Sequence, residues 1–186
     1  MARTNGRRST RTASTRALKV WVAMGSDSDL PIMEEAIRTL KDFGIPYEVN
    51  VTSAHRTPDM TAELARTAER RGFGAIIVGA GHAAHLGGVV AAHSTLPVIG
   101  VPLPSSALQG MDSLLSTVQM PGGVPVACMA IGRSGATNAG IFAAQILATR
   151  DPELRRRLQA HKGQLASRVI EKNRALKKGP ASSSKS

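Results

Sequence analysis

Between residues 18 and 176, short apolar runs rich in Val and Ile alternate with helix-like segments, and no other feature of the chain limits its fold as much. The runs lie at 18–24 (LKVWVAM), 46–51 (PYEVNV), 74–79 (GAIIVG), 97–101 (PVIGV) and 124–131 (VPVACMAI). Strand-length apolar runs separated by helical segments are the pattern of β-α units, whose strands lie side by side in one parallel sheet. The alternation predicts an α/β fold with five parallel strands, doubly wound.

The segments between the runs carry helix signals. Asp29-Leu30-Pro31 places a capping acid ahead of a first-turn Pro, and Thr57-Pro58-Asp59 repeats that order. After Pro31, Ile32, Ala36, Ile37 and Leu40 mark one apolar face, closed by Gly44 near Pro46. An Ala-rich, small-sided helix is predicted over 134–149, suited to close packing against another subunit. A charged helix over 153–176 ends the domain, with His161 on its solvated face.

A net charge of +11 suggests a nucleic-acid binder until it is divided along the chain. Residues 1–19 hold six basic residues and 172–186 hold five, with no acid in either stretch. Removing those eleven from twenty-four leaves thirteen basic against thirteen acidic residues over 20–171, so the body of the chain is neutral. Both ends are rich in Ser, Thr, Gly, Lys and Arg, and cannot bury enough surface to offset ordering entropy. The expected organisation is one domain over 18–176 between disordered basic tails, 1–17 and 177–186. The tails leave a polyanion-binding or transit-peptide reading open, but five aromatic residues, mostly at core positions, leave little for base stacking, and no specific nucleic-acid partner is expected. No stretch approaches the roughly 20 apolar residues of a membrane span, so the expectation is a soluble, intracellular protein. Cys128, the single cysteine, lies in an apolar run and reads as a buried, inert thiol.

Three loops follow the first three runs: GSDSD at 25–29, SAHRTP at 53–58 and GAGHAAHLGG at 79–88. In a doubly wound sheet these share one edge, where ligands bind. His55 beside Arg56 places an imidazole that titrates near neutral pH next to a fixed cation, an arrangement suited to proton transfer on an anionic substrate; bracing the next helix is the plainer role. Arg56 has a planar fork for phosphate or carboxylate, and Ser26 and Ser28 add hydroxyls. Asp29 can accept from a sugar diol or cap its helix, and spacing favours the cap. Gly79 to Ala84 fits the relaxed dinucleotide fingerprint, but it follows the third strand, and no acid stands between Glu69 and Asp112 to hold a ribose. His82, His85 and His93 have no acidic residue or Cys nearby and match no zinc spacing, so no metal is expected.

With these motifs in place, the chain resembles the class I N5-carboxyaminoimidazole ribonucleotide mutases from about Lys19 to about Leu158. The resemblance rests on VxMGSDSD, SAHRTPD, IIVGAGxAAHLxG, LPVIGVP, MDSLLSTVQMPGGVPV and NAGIFAAQIL. It implies a flavodoxin-like α/β/α fold, a cytoplasmic homo-octamer, and transfer of a carboxylate from the exocyclic nitrogen to a ring carbon of an aminoimidazole ribonucleotide without metal, ATP or biotin. It also implies roles: His55 as general acid and base; Ser26, Ser53 and Arg56 as phosphate or nucleotide contacts; Asp29 as the ribose-binding carboxylate; and Ala80, Gly81 and Leu86 as the loop against the imidazole. Two positions depart from the family's common form, which has Gly where this chain has His82 and Pro where it has Gly87. A class II carboxylase that takes up free carbon dioxide, and a non-catalytic flavin or nucleotide binder, are the competing readings.

Overall fold

The computed structural model describes residues 17–177; the tails expected to be disordered, 1–17 and 177–186, lie outside the described residues but for Ala17 and Lys177, and Lys177 ends a helix. Five strands, β1 (Lys19–Met24), β2 (Tyr47–Val51), β3 (Phe73–Gly81), β4 (Val98–Leu103) and β5 (Ala127–Cys128), form one parallel sheet in the order β2-β1-β3-β4-β5. The helices are α1 (Leu30–Asp42), α2 (Pro58–Thr67), α3 (Leu86–His93), α4 (Met111–Val118), α5 (Arg133–Ala148) and α6 (Pro152–Lys177). This is the predicted α/β fold of flavodoxin-like strand order, with its reversal of direction between β1 and β3.

Alternation along β1 explains the three layers. Val20, Val22 and Met24 face a core built with Met33, Ala36 and Leu40 of α1 and with Ala136, Ala139 and Ala143 of α5. Trp21 and Ala23 face the opposite side, with Ala65, Ile76, Val78, Leu86 and Val90. Both faces of the strand are therefore buried, which is why it reads as an uninterrupted apolar run. The α1 stop falls where the sequence places it: Gly44 (φ 63°) follows the last turn, its N–H bonds to Lys41 O at 2.8 Å, and Ile45 N bonds to Leu40 O at 2.9 Å.

Several expectations change. The fifth run, expected over 124–131, pairs only at Ala127 and Cys128, opposite Ile99 and Gly100. Pro125 has no N–H for a ladder, Val124 N is spent on a turn to Pro121 O, and Gly132 (φ 76°) leads the chain into α5. Helices α3 and α4 have no marked counterpart in the pattern; α3, LGGVVAAH, is apolar on all sides and so shows no helical stripe. Asp29 stands at the N-cap place of α1 but makes no cap bond to it, and Thr57 likewise makes none to α2. His161 is half-buried, edge-on to the Phe43 ring at 5.3 Å, where a solvated face was expected. Cys128 is half-buried at the sheet edge, and its burial pushes the thiol pKa up.

At the start of β1, Lys19 and Arg71 both pair with Glu48 and both lie over the Phe73 ring, so the last residue of the basic N-terminal stretch is tied into the sheet. Among the described residues no helix is long and apolar enough to cross a membrane.

Candidate active site

A cavity of about 450 Å³ opens at the carboxyl ends of β1 and β3, beside the loop that follows β2. The strand order puts three loops from separate parts of the sequence around it, and every residue expected to bind substrate or move a proton lines it.

The first loop contributes Ser26 and Asp29. Ser26 is extended (φ −151°, ψ 157°), which turns its hydroxyl back to accept from Ser28 N at 3.3 Å and Ser28 Oγ at 2.9 Å. Asp29 Oδ2 accepts from Ser26 N at 3.0 Å, closing a capping box around the single turn 27–29. The acid thus braces its own loop, where a cap on α1 was expected. Burial pushes the Asp29 carboxyl above its ordinary pKa, opposed by the Ser26 and Gly25 N–H groups and by the charges of His82 and Arg56.

The second loop contributes Ser53, His55 and Arg56. Ser53 Oγ accepts from Arg56 N at 3.2 Å, and Thr57 Oγ1 accepts from Ser53 N at 2.9 Å, so the loop is wound tightly on its own hydroxyls. Arg56 Nη2 donates to Gly25 O at 2.7 Å, joining the second loop to the first. His55 Nε2 lies 2.9 Å from His85 Nδ1, with the rings nearly perpendicular at 84°. One of these nitrogens donates and the other accepts, so a single proton sits between the two rings.

The third loop contributes Ala80, Gly81 and Leu86. Ala80 and Leu86 are buried and give the cavity an apolar wall. Ala84 N donates to Ser116 Oγ at 3.0 Å, holding this loop against α4. His82 and His85 go to different partners, Ser105 and His55, while His93 ends α3. Among the described residues no group of three His, Cys, Asp or Glu side chains could hold a metal ion.

Two participants escaped the sequence reading. His85 was weighed only as a metal ligand; what shows it as the partner of His55 is the fold, which brings residues 30 apart in sequence into contact. Ser105, after β4, also lines the cavity, and only the pairing of β4 with β3 brings it there. Chemically, the cavity offers hydroxyl and guanidinium donors for an anion, a buried carboxylate for polar hydrogens, an imidazole pair for proton transfer and an apolar wall for a flat ring.

A family model described as AIR carboxylase matches residues 19–168, a span that includes all three loops. The chain is similar to the N5-carboxyaminoimidazole ribonucleotide mutase of Thermotoga maritima, 54% identical over 158 residues that cover 85% of this chain and 91% of that protein. The mutase of Bacillus subtilis is 54% identical over 157 residues, covering 84% of this chain and 97% of its own. The crystal structure of Treponema denticola PurE is similar with a TM-score of 0.77 at 30% identity, covering 87% of this chain and 99% of that one.

Proposed function

We infer the function from the premise that the chain belongs to the AIR carboxylase family. It is an enzyme of purine biosynthesis, an isomerase that moves a carboxylate from the exocyclic nitrogen to the ring carbon of an aminoimidazole ribonucleotide. Its substrate is N5-carboxyaminoimidazole ribonucleotide and its product 4-carboxy-5-aminoimidazole ribonucleotide.

The role of each residue is our own reading, supported by the convergence of His55, Arg56 and Asp29 with an apolar wall in one cavity. Arg56, Ser26 and Ser53 bind the phosphate end, where guanidinium and hydroxyl donors surround the first two loops. Asp29 accepts from the ribose hydroxyls. Ala80, Gly81 and Leu86 form the surface on which the imidazole lies, and their apolar character suits a step that must hold carbon dioxide away from water.

His55 carries the proton. As an imidazolium it donates to the exocyclic nitrogen, the nitrogen–carbon bond breaks, and carbon dioxide is released beside the ring. The ring carbon then forms its bond to carbon dioxide, and His55, now neutral, removes the proton from that carbon, which returns the enzyme to its starting state. Its hydrogen bond to His85 orients the ring. We also place the enzyme in the cytoplasm, take 18–176 as its catalytic domain, and assign it a homo-octamer, a state supported by apolar side chains left exposed on α4 and α6.

The test is conversion of freshly made N5-carboxyaminoimidazole ribonucleotide without bicarbonate, ATP or added metal, by wild type and by His55→Asn. Conversion by wild type alone supports both the reaction and the role of His55. Failure by both, with carboxylation of aminoimidazole ribonucleotide once carbon dioxide is supplied, turns the assignment to the carboxylase reading.

A further inference from the structure

His82 holds a backbone conformation that its side chain disfavours. Its φ is 53°, in the left-handed region where Cβ crowds the following carbonyl, although a glycine would fit there freely. Strain of this kind persists where the surroundings over-determine it, and it clusters at functional sites. What the side chain gains is one contact: its Nδ1 lies 3.0 Å from Ser105 Oγ. Ser105 belongs to the stretch between β4 and α4, so the bond joins two loops just beyond Gly81 and Leu103, where the pairing of β3 with β4 ends. The approach is close, because a Cβ built on Gly81 would fall on the Ser105 hydroxyl. Gly81, His82 and Ser105 all line the cavity.

We propose that His82 is a positioning residue: its imidazole latches the β3–α3 loop to the β4–α4 loop and holds that wall of the cavity in the shape that receives the substrate's ring. The proposal rests on the mutase reading for the identity of the ring. The latch acts by keeping the binding-competent shape populated, so its loss lowers apparent affinity by the fraction of molecules that leave that shape. Chemistry at His55 proceeds as before once the substrate is seated.

Three variants of the full chain test it. His82→Gly keeps the backbone and removes the latch, Ser105→Ala removes the latch from the other side, and His82→Asn tolerates the left-handed backbone while keeping a polar atom at the δ position. For turnover of N5-carboxyaminoimidazole ribonucleotide, His82→Gly and Ser105→Ala should each raise KM about fivefold with kcat within about twofold, the loss of one ordinary hydrogen bond. The double variant should add nothing further, because both changes cut the same bond. His82→Asn should recover most of the affinity. Amide hydrogen exchange over residues 104–110 should quicken in His82→Gly and Ser105→Ala alike. A wild-type KM in His82→Gly, additive effects in the double variant, or unchanged exchange over 104–110 overturns the latch. If wild type itself converts no substrate, the mutase reading fails instead, and the exchange experiment still decides whether the two loops are latched.

Discussion

Asp29 is a residue on which stability and binding make opposite demands. Burial raises its carboxyl pKa, so the folded state holds that proton to a higher pH than the unfolded chain does. Stability therefore falls as pH rises from the ordinary carboxylate value of about 3.9 through the raised folded value, and the penalty is constant above it. Asp29→Asn keeps an acceptor for Ser26 N and removes the penalty. It should melt higher than wild type at neutral pH, with the gap closing as pH drops through the ordinary carboxylate range, as thermal unfolding across pH would record. Its KM should rise about tenfold, the loss of a charged hydrogen bond to the ribose. His55 is exposed and, among the described residues, bonded to His85 and the Ser53 hydroxyl. In His55→Asn, kcat should fall by about 10² to 10⁴ with an unchanged melting temperature, checked by steady-state kinetics beside calorimetry. At this scale the sequence was most informative where chemistry is concentrated in a few neighbouring positions. Ser53, His55 and Arg56 are legible because one hexapeptide contains them all, whereas Ser105 has an ordinary loop context and shows only once β4 lies beside β3, and the His55–His85 pairing shows only once β2 and β3 flank β1.

Elements differ in how openly they declare themselves. Strands β1, β3 and β4 are visible because burial on both faces forces a continuous apolar run, β2, at the sheet edge, because Tyr47, Val49 and Val51 alternate with polar residues, and α1 because one polar face remains in water. Helix α3 is hidden by its uniform apolarity, and β5, though expected over 124–131, pairs at only two residues because Pro125 has no N–H for the ladder. Glycines in helices give a matched pair of predictions at this scale. A Cβ at Gly87, near the start of α3, would meet Val126 Cγ1 at 3.6 Å, an ordinary contact. Gly87→Ala should therefore stabilise by about 0.5–1 kcal/mol through a less flexible unfolded chain. A Cβ at Gly140, in α5, would lie 2.7 Å from Thr39 Cβ and 3.1 Å from Ala36 O of α1. Gly140→Ala should destabilise by about 1–3 kcal/mol, because two helices packed this closely have no slack. Denaturant unfolding of the two variants side by side would check the opposite signs.

The whole molecule leaves apolar surface uncovered. Leu108, Met111, Leu115 and Val118 are exposed along and just before α4, and Leu165, Val169, Ile170 and Leu176 are exposed on the outer half of α6. Contiguous apolar surface of this kind marks contact with other chains, and the Ala-rich face expected to serve that purpose is instead consumed within the chain, where α5 packs on α1 and the sheet. Sedimentation should give an octamer, and Leu165→Lys with Val169→Lys should shift it to smaller species by placing charges in the contact. The tails were legible as charge alone, since composition states what a segment cannot bury and says nothing of what it touches.

The sheet order also governs how the chain comes into being. β1 lies between β2 and β3, and the face of α1 is closed by α5, residues 133–148. Synthesis proceeds from the N-terminus, so the first strand and helix emerge long before the partners that cover them. Parallel pairing across such separations is slow to form. A nascent polypeptide of this kind must be almost wholly made before its first helix finds shelter, and until then the ribosome carries a sticky, half-covered fragment.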